Sequence, residues 1–154
     1  MNRTDIKLLE LLQKNSRVTI SDLSKELSLS RPSVSERMLR LQEKGIIVEF
    51  TARLSLQALG MDTLLFIQVS ELKKKPAEFE QQIMEENSII ECHRVTGTTN
   101  YILKAATSNM AKMSELIDRL IPFGTLTTSI VLSSPIPYKI VLPEEDVVRE
   151  NCLL

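Results

Sequence analysis

Ser30, Arg31, Ser33, Ser35, Glu36, Arg37 and Arg40 fall within eleven consecutive residues of this 154-residue chain. Guanidinium forks and hydroxyls at such density donate hydrogen bonds to anionic oxygens, and a carboxylate among them accepts from an exocyclic amine. Elsewhere the chemistry is sparse. His93 is the single histidine and neighbours Cys92. Successive side chains of a strand face opposite sides, so these two cannot share a metal or form a nucleophile–base pair. Glu91 and His93 share a face, but two ligands do not make a metal site. Cys92 and Cys152 lie far apart with no CxxC spacing, which suggests neither a disulfide framework nor a zinc site. No catalytic residue, metal or cofactor is expected, and the chain does not read as an enzyme.

The surrounding pattern tells what the polar cluster is for. Residues 19–45 spell a helix, a tight turn and a second helix. Thr19 with Asp22 reads as a capping box at the start of the first, which turns Leu23 and Leu27 inward. Leu29 and Ser30 make the turn. Ser30 is a natural N-cap for the second helix, whose first turn tolerates Pro32 because an amide there has no partner. Val34, Met38 and Leu41 recur at i, i+4 and i+7 and define its core face. Ser33, Ser35, Glu36 and Arg40 lie near the opposite face, and Arg31 projects from the N-terminal end. Arg37 lies closer to the core side, placed to pair with a local acid or to clamp a phosphate. Such a helix fits the DNA major groove, where serine and arginine donate to phosphates and base acceptors and glutamate accepts from cytosine. A solvated helix in a bundle is the competing reading. The full 27-residue pattern favours a DNA-binding helix-turn-helix.

Charge supports this weakly. Net charge is −1, but residues 1–50 hold 9 Lys or Arg against 7 Asp or Glu, and the remainder holds 10 against 13. An N-terminal excess of +2 implies weak binding by one copy, because phosphate neutralisation supplies much of the affinity. Two or more copies acting together would raise it, so oligomerisation is expected. No stretch reads as a signal peptide or a membrane span, and a cytoplasmic protein without membrane partners is expected.

Along the chain, Thr4 can cap a first helix to about Lys14, with Leu8, Leu11 and Leu12 on its inner stripe. Gly45 closes the third helix. Ile46 to Phe50 is β-prone, either a short wing or the start of a connector. Residues 51–61 read as a linker with a helical turn at Leu56 to Leu59. Then follow a strand over 63–72, a break at Lys73-Lys74-Lys75-Pro76 (read as a solvated loop), and a helix over 77–86. A hairpin of strands over 89–96 and 101–107 turns at 97–100. A helix over 110–121, stopped by Pro122 and Gly124, and a strand over 126–132 complete the order. This β-α-β-β-α-β succession is the ferredoxin-like arrangement. Residues 135–142 alternate weakly, as an added edge strand would. From Glu144 the chain is acidic and expected to fray, with Val147, Val148, Leu153 and Leu154 available to a partner. The fold expected is α+β: a helix-turn-helix domain over 1–50, a linker over 51–61, a ferredoxin-like domain over 62–142 and a tail over 143–154.

Four stretches in this order resemble the Lrp/AsnC family of transcription regulators: TDIKLLELLQKNSR, DLSKELSLSRPSVSERMLRLQEKGII, FTARLSLQALG and ECHRVTG. The resemblance spans nearly the whole chain. It implies dimers formed through the sheets of the C-terminal domains, assembly to a tetramer of dimers or similar, and double-stranded DNA as partner. It also implies an amino-acid effector bound between subunits, beside a loop that follows the VTG motif as Gly-Asp-Tyr or Phe-Asp. The matching positions here are Gly97, Thr98, Thr99, Asn100 and Tyr101. The glycine is kept. Thr98 replaces the aspartate and Asn100 the second acid, so a zwitterion would meet only neutral partners or backbone.

Two other functions fit less well. Sirohaem decarboxylases resemble this family, but a polycarboxylate macrocycle needs basic groups that the second domain lacks. A sensor that acts only by mixing with a paralogue would have little use for an intact helix-turn-helix.

Overall fold

The computed structural model describes residues 1–143 and divides the chain into two compact units. One comprises residues 1–53 and 136–143; the other comprises residues 54–135.

The first unit holds helices α1 (Arg3–Lys14), α2 (Ile20–Leu27) and α3 (Arg31–Glu43). Leu8, Leu9 and Leu12 of α1, Leu23 of α2, and Val34 and Leu41 of α3 make one apolar cluster, with Met38 and Ile47 packed against it. The start of α1 differs from expectation. Asn2, not Thr4, is the N-cap, because Asn2 Oδ1 accepts from Asp5 N (2.9 Å) while Asp5 Oδ2 accepts from Asn2 N (3.3 Å). This reciprocal box satisfies two orphan amides, whereas Thr4 lies inside the first turn. Thr19 caps α2 by accepting from Asp22 N and donates its hydroxyl to Asp22 Oδ2 at 2.6 Å. The third helix ends as glycine placement predicts. Gly45 sits at φ +66°, Gly45 N donates to Gln42 O, and Ile46 N donates to Leu41 O, which is a Schellman closure. The β-prone run 46–50 forms no strand and continues as irregular chain. Among the described residues, none pairs with its backbone in a ladder.

Residues 136–143 do not add an edge strand either. They run as an irregular strap that clusters with the first unit. Gln13 of α1 holds the strap. Val141 N donates to its Oε1 (3.0 Å), its Nε2 donates to Val141 O (2.8 Å), and Tyr138 Oη donates to Oε1 (3.3 Å). An amide thereby copies the pattern of a neighbouring strand. Arg53 adds a second hold, its guanidinium 4.3 Å above the Tyr138 ring and an Nη2 donating to Pro137 O.

The second unit opens with a 3-10 turn at Gln57–Leu59 and contains β1 (Thr63–Ser70), α4 (Pro76–Glu85), β2 (Ile89–Arg94), β3 (Thr99–Thr107), α5 (Met110–Leu120) and β4 (Thr125–Ile130). The order across the sheet is β2-β3-β1-β4, and all neighbours are antiparallel. This is the ferredoxin-like topology expected from the element order. One face is dry: Leu65, Ile67, Val69, Tyr101, Leu103 and Ala105 pack beneath Phe79, Ile83, Leu116 and Leu120 of the two helices. The other face has no cover among the described residues of this unit. Across it, Phe66 stands opposite Lys104 and Ser129, and Gln68 opposite Ile102 and Thr127. Glu91 and His93 of β2 lie on the same face, opposite Lys104 and Ile102, and Cys92 points to the helix side opposite Leu103. Gly124 is buried where its chain crosses β1. A Cβ there would lie 2.5 Å from Ser70 O. Residues 144–154, with the apolar residues read above as partner-binding, lie outside the described residues.

Candidate nucleic-acid interface and hairpin site

The turn between α2 and α3 is tighter than Leu29-Ser30 alone suggests. Ser28 takes the left-handed conformation (φ 53°) and terminates α2 with its amide donating to Lys25 O. Leu29 N donates to Ser24 O, and the Ser24 hydroxyl donates to Leu29 O, so one serine clamps the turn from both directions. Ser30 then caps α3 by accepting from Ser33 N at 3.3 Å. A non-glycine residue at positive φ is uncommon, and serine's short polar side chain gave no sequence signal for it.

With the turn fixed, α3 divides as its periodicity requires. Val34 and Leu41 are buried and Met38 half-buried. Arg31, Ser35, Glu36, Leu39 and Arg40 are exposed, and Ser33 is half-buried. Arg31 is tethered: its Nη2 donates to Ser21 Oγ of α2 at 3.0 Å, so its fork bridges the two helices at the N-terminal end of α3. Arg40, Ser35 and Glu36 have no side-chain hydrogen bond among the described residues and stand free on the outer face.

Arg37 is engaged elsewhere. Its Nη1 donates to Asp5 Oδ1 at 2.7 Å, with the arginine side chain 20% and the aspartate side chain 12% exposed. Asp5 therefore serves α1 twice, as capping acid and as counter-ion for the middle of α3. Arg37 Nε is buried with no partner among the described residues. The pair was not legible, since nothing in the spacing of residues 5 and 37 connects them before the three helices pack.

The hairpin between β2 and β3 gathers the second group. Its turn covers 95–98, two residues earlier than expected, because β3 already begins at Thr99. Gly97 is exposed with φ +106°, a conformation an L side chain rarely adopts. Thr98 is exposed, and Thr99 donates its hydroxyl to Gln68 Oε1 at 3.4 Å on the uncovered face. Asn100 is half-buried: its Oδ1 accepts from Leu72 N at 3.2 Å and pins the corner after β1. Tyr101 belongs to the core. It is buried against Phe79 (ring centroids 4.6 Å apart) and donates its hydroxyl to Glu80 Oε1 at 2.6 Å. Burial first, and the Glu80 hydrogen bond second, push its pKa up to about 12. The five positions are contiguous in the hairpin, but only Gly97, Thr98 and Thr99 present themselves to solvent or to the open face.

The open face carries its own charges. Lys104 Nζ pairs with Glu91 Oε1 at 2.7 Å, and His93 Nε2 lies 3.6 Å from Glu91 Oε2. The Lys104 contact holds the Glu91 carboxyl below the ordinary carboxylate range against a smaller burial effect. No helix of the described residues is long and apolar enough to cross a membrane.

Comparison with known proteins gives two family matches, one in each half of the chain. Residues 1–48 match the winged helix-turn-helix DNA-binding family, and residues 64–141 match the Lrp/AsnC ligand-binding domain. The HTH-type transcriptional regulator YezC of Bacillus subtilis is 32% identical over 134 residues, 87% of this chain and 95% of that one. The leucine-responsive regulatory protein of Haemophilus influenzae is 34% identical over 122 residues, 76% of this chain and 72% of that one. Among solved structures, the regulator NMB0573 of Neisseria meningitidis, crystallised as a complex with L-Met, superposes with a TM-score of 0.85 at 30% identity, covering 96% of this chain and 99% of that one. B. subtilis LrpC superposes with a TM-score of 0.85 at 25% identity, covering 90% and 99%.

Proposed function

Because the chain belongs to the Lrp/AsnC family of DNA-binding transcriptional regulators, we propose that α3 is its recognition helix and that Arg31, Ser33, Ser35, Glu36 and Arg40 form the reading surface. The observation that carries this is the division of α3: Val34, Met38 and Leu41 turn inward, while Arg31, Ser35, Glu36 and Arg40 are exposed and Ser33 is half-buried. Arg31 and Ser30 sit at the N-terminal end of the helix, the end that enters the groove in helix-turn-helix proteins. Arg37 supports the surface from behind through Asp5 rather than touching bases. The decarboxylase alternative is not favoured, since the matched relatives are regulators.

The functional unit is a dimer joined through the open sheet face around Phe66 and Ile102, assembled further into a tetramer of dimers. Two recognition helices would then meet half-sites about 34 Å apart, or at a multiple of one helical turn. A cytoplasmic location accords with a DNA substrate. The effector of this reading is an amino acid beside Gly97, Thr98 and Thr99, held by hydroxyls and backbone rather than a carboxylate. The L-Met complex of the meningococcal relative supports that ligand class.

The test is binding of the purified protein to DNA from upstream of its own gene and to an unrelated duplex, at two salt concentrations, with and without single amino acids. Preferential binding that weakens with salt and disappears in Arg31→Ala/Arg40→Ala carries the proposal. Equal binding to both duplexes, or binding indifferent to that double substitution, sinks α3 as the reading element. A change in affinity or assembly with one amino acid, abolished by Thr98→Val/Thr99→Val, supports the hairpin site; an unchanged response in that variant removes it.

A further inference from the structure

Leu39 is a large apolar side chain that α3 leaves outside, 56% exposed. Periodicity sets its place. Val34, Met38 and Leu41 form the core stripe at i, i+4 and i+7. On the far side of the helix Pro32, Glu36, Leu39 and Glu43 recur at i, i+4, i+7 and i+11, and all four are exposed. Leu39 therefore stands near the middle of the outer face. Ser35 and Glu36 precede it by one turn and Arg40 adjoins it. It lies about 12 Å along the helix axis from Arg31, far enough to meet a different base pair.

We propose that Leu39 is a specificity-determining residue whose side chain packs on the C5-methyl group of a thymine in each half-site. This rests on α3 being the recognition helix. A lone exposed leucine on an ordinary surface needs no partner. On a face that enters a groove the case differs, because docking strips the water from it. The major-groove edges of the base pairs present nitrogen and oxygen acceptors, amino donors and one methyl group, that of thymine. Set against an acceptor or an amine, a leucine would cover a polar group without bonding to it, which is unfavourable. Set against the methyl, it buries apolar surface on both sides. Glu36 and Arg40, beside it, are suited to the edges of cytosine and guanine. Leu39 adds a preference for an A·T pair that those two charges do not supply.

The experiment uses the full-length protein and a library of random-sequence duplexes. Bound duplexes are enriched, and each thymine of the enriched site is replaced singly by deoxyuracil, which removes only the methyl group. Affinities are then titrated for the wild type, Leu39→Ala and Leu39→Met. The expected result is one thymine in each half-site whose replacement weakens wild-type binding about fourfold, the worth of one buried methyl. Leu39→Ala should bind the thymine and uracil duplexes equally, and Leu39→Met, which keeps an apolar contact, should retain the difference. Each comparison is between two duplexes bound by the same protein, so a change in the variant's own stability cancels. Uracil effects in Leu39→Ala identical to those of the wild type overturn the proposal, as does an enriched site without thymine. Identical uracil effects with an altered sedimentation mass overturn it in favour of a protein contact. If Leu39→Ala is silent while Arg31→Ala/Arg40→Ala abolishes binding to the enriched duplexes, the reading face stands and Leu39 leaves it. If no sequence is enriched, both fall.

Discussion

Two arginines three residues apart on α3 separate fold from function. Arg37 closes an ion pair in which both side chains are mostly buried, and removing one member leaves the other charge without its partner. Arg37→Ala should lower stability by about 2 kcal/mol in urea unfolding. Arg40 is exposed and has no side-chain partner among the described residues. Arg40→Ala should change stability by less than about 0.5 kcal/mol while weakening DNA binding by about 1–3 kcal/mol in a titration. If the two effects were exchanged, the assignment of the reading face would be wrong. Tyr101 offers a spectroscopic check of the core. Its raised pKa means that its contribution is intact below about pH 10 and is lost as pH rises toward 12. Tyr101→Phe should remove the highest-pH phase of the ultraviolet tyrosine titration and cost about 1 kcal/mol, the net worth of one buried hydrogen bond. The family motif ends at Tyr101, which by resemblance alone would count among the effector residues. Strand alternation decides otherwise, since Leu103 and Ala105 on the same side are core and Tyr101 must be core with them.

At the scale of elements, most of the fold was legible because caps, breakers and periodicity agreed. Gly45, Ser30, Thr19, Pro76 and the Val34–Met38–Leu41 stripe each marked a boundary or a face that the structure keeps. What escaped were features that exist only after packing: the left-handed Ser28, the Asp5–Arg37 pair, and the strap, whose weak alternation imitated a strand. Gly124 was read as a helix breaker. Its larger constraint is spatial, since a methyl group there would meet the β1 backbone. Gly124→Ala should cost about 2 kcal/mol through overpacking, visible as a lowered unfolding midpoint, whereas Gly97→Ala should affect chiefly the hairpin. The link between α4 and α5 predicts a pH response. Arg119 Nε and Nη2 each donate at 2.8 Å to the two oxygens of Glu86. That hydrogen bonding lowers the Glu86 pKa below 4.5 against the opposing effect of burial. A depressed carboxyl stabilises the folded state above its unfolded value and stops doing so as pH falls through the folded one. Arg119→Ala should therefore cost about 1 kcal/mol at pH 7 and much less near pH 3, measured by urea unfolding at both.

At the scale of the molecule, the sheet's open face governs assembly in the proposed reading. Phe66 is 40% exposed and stands in the middle of that face beside Lys104. Phe66→Asp with Ile102→Asp should leave the helix-covered core intact and yield a smaller species by sedimentation. DNA affinity should then fall about a hundredfold, because each recognition helix loses its tethered companion. An unchanged mass would assign the contact to another surface.

The first unit is discontinuous along the chain: its helices occupy residues 1–53, but the strap that Gln13 grips arrives only at residue 141. During synthesis the three helices emerge first and must wait while about ninety further residues are made, roughly 5–20 s at ordinary elongation rates. For that interval the nascent α1 displays an unoccupied Gln13 amide to every neighbouring chain on the polysome. Birth order thus gives sister polypeptides an opportunity to exchange straps before each has made its own.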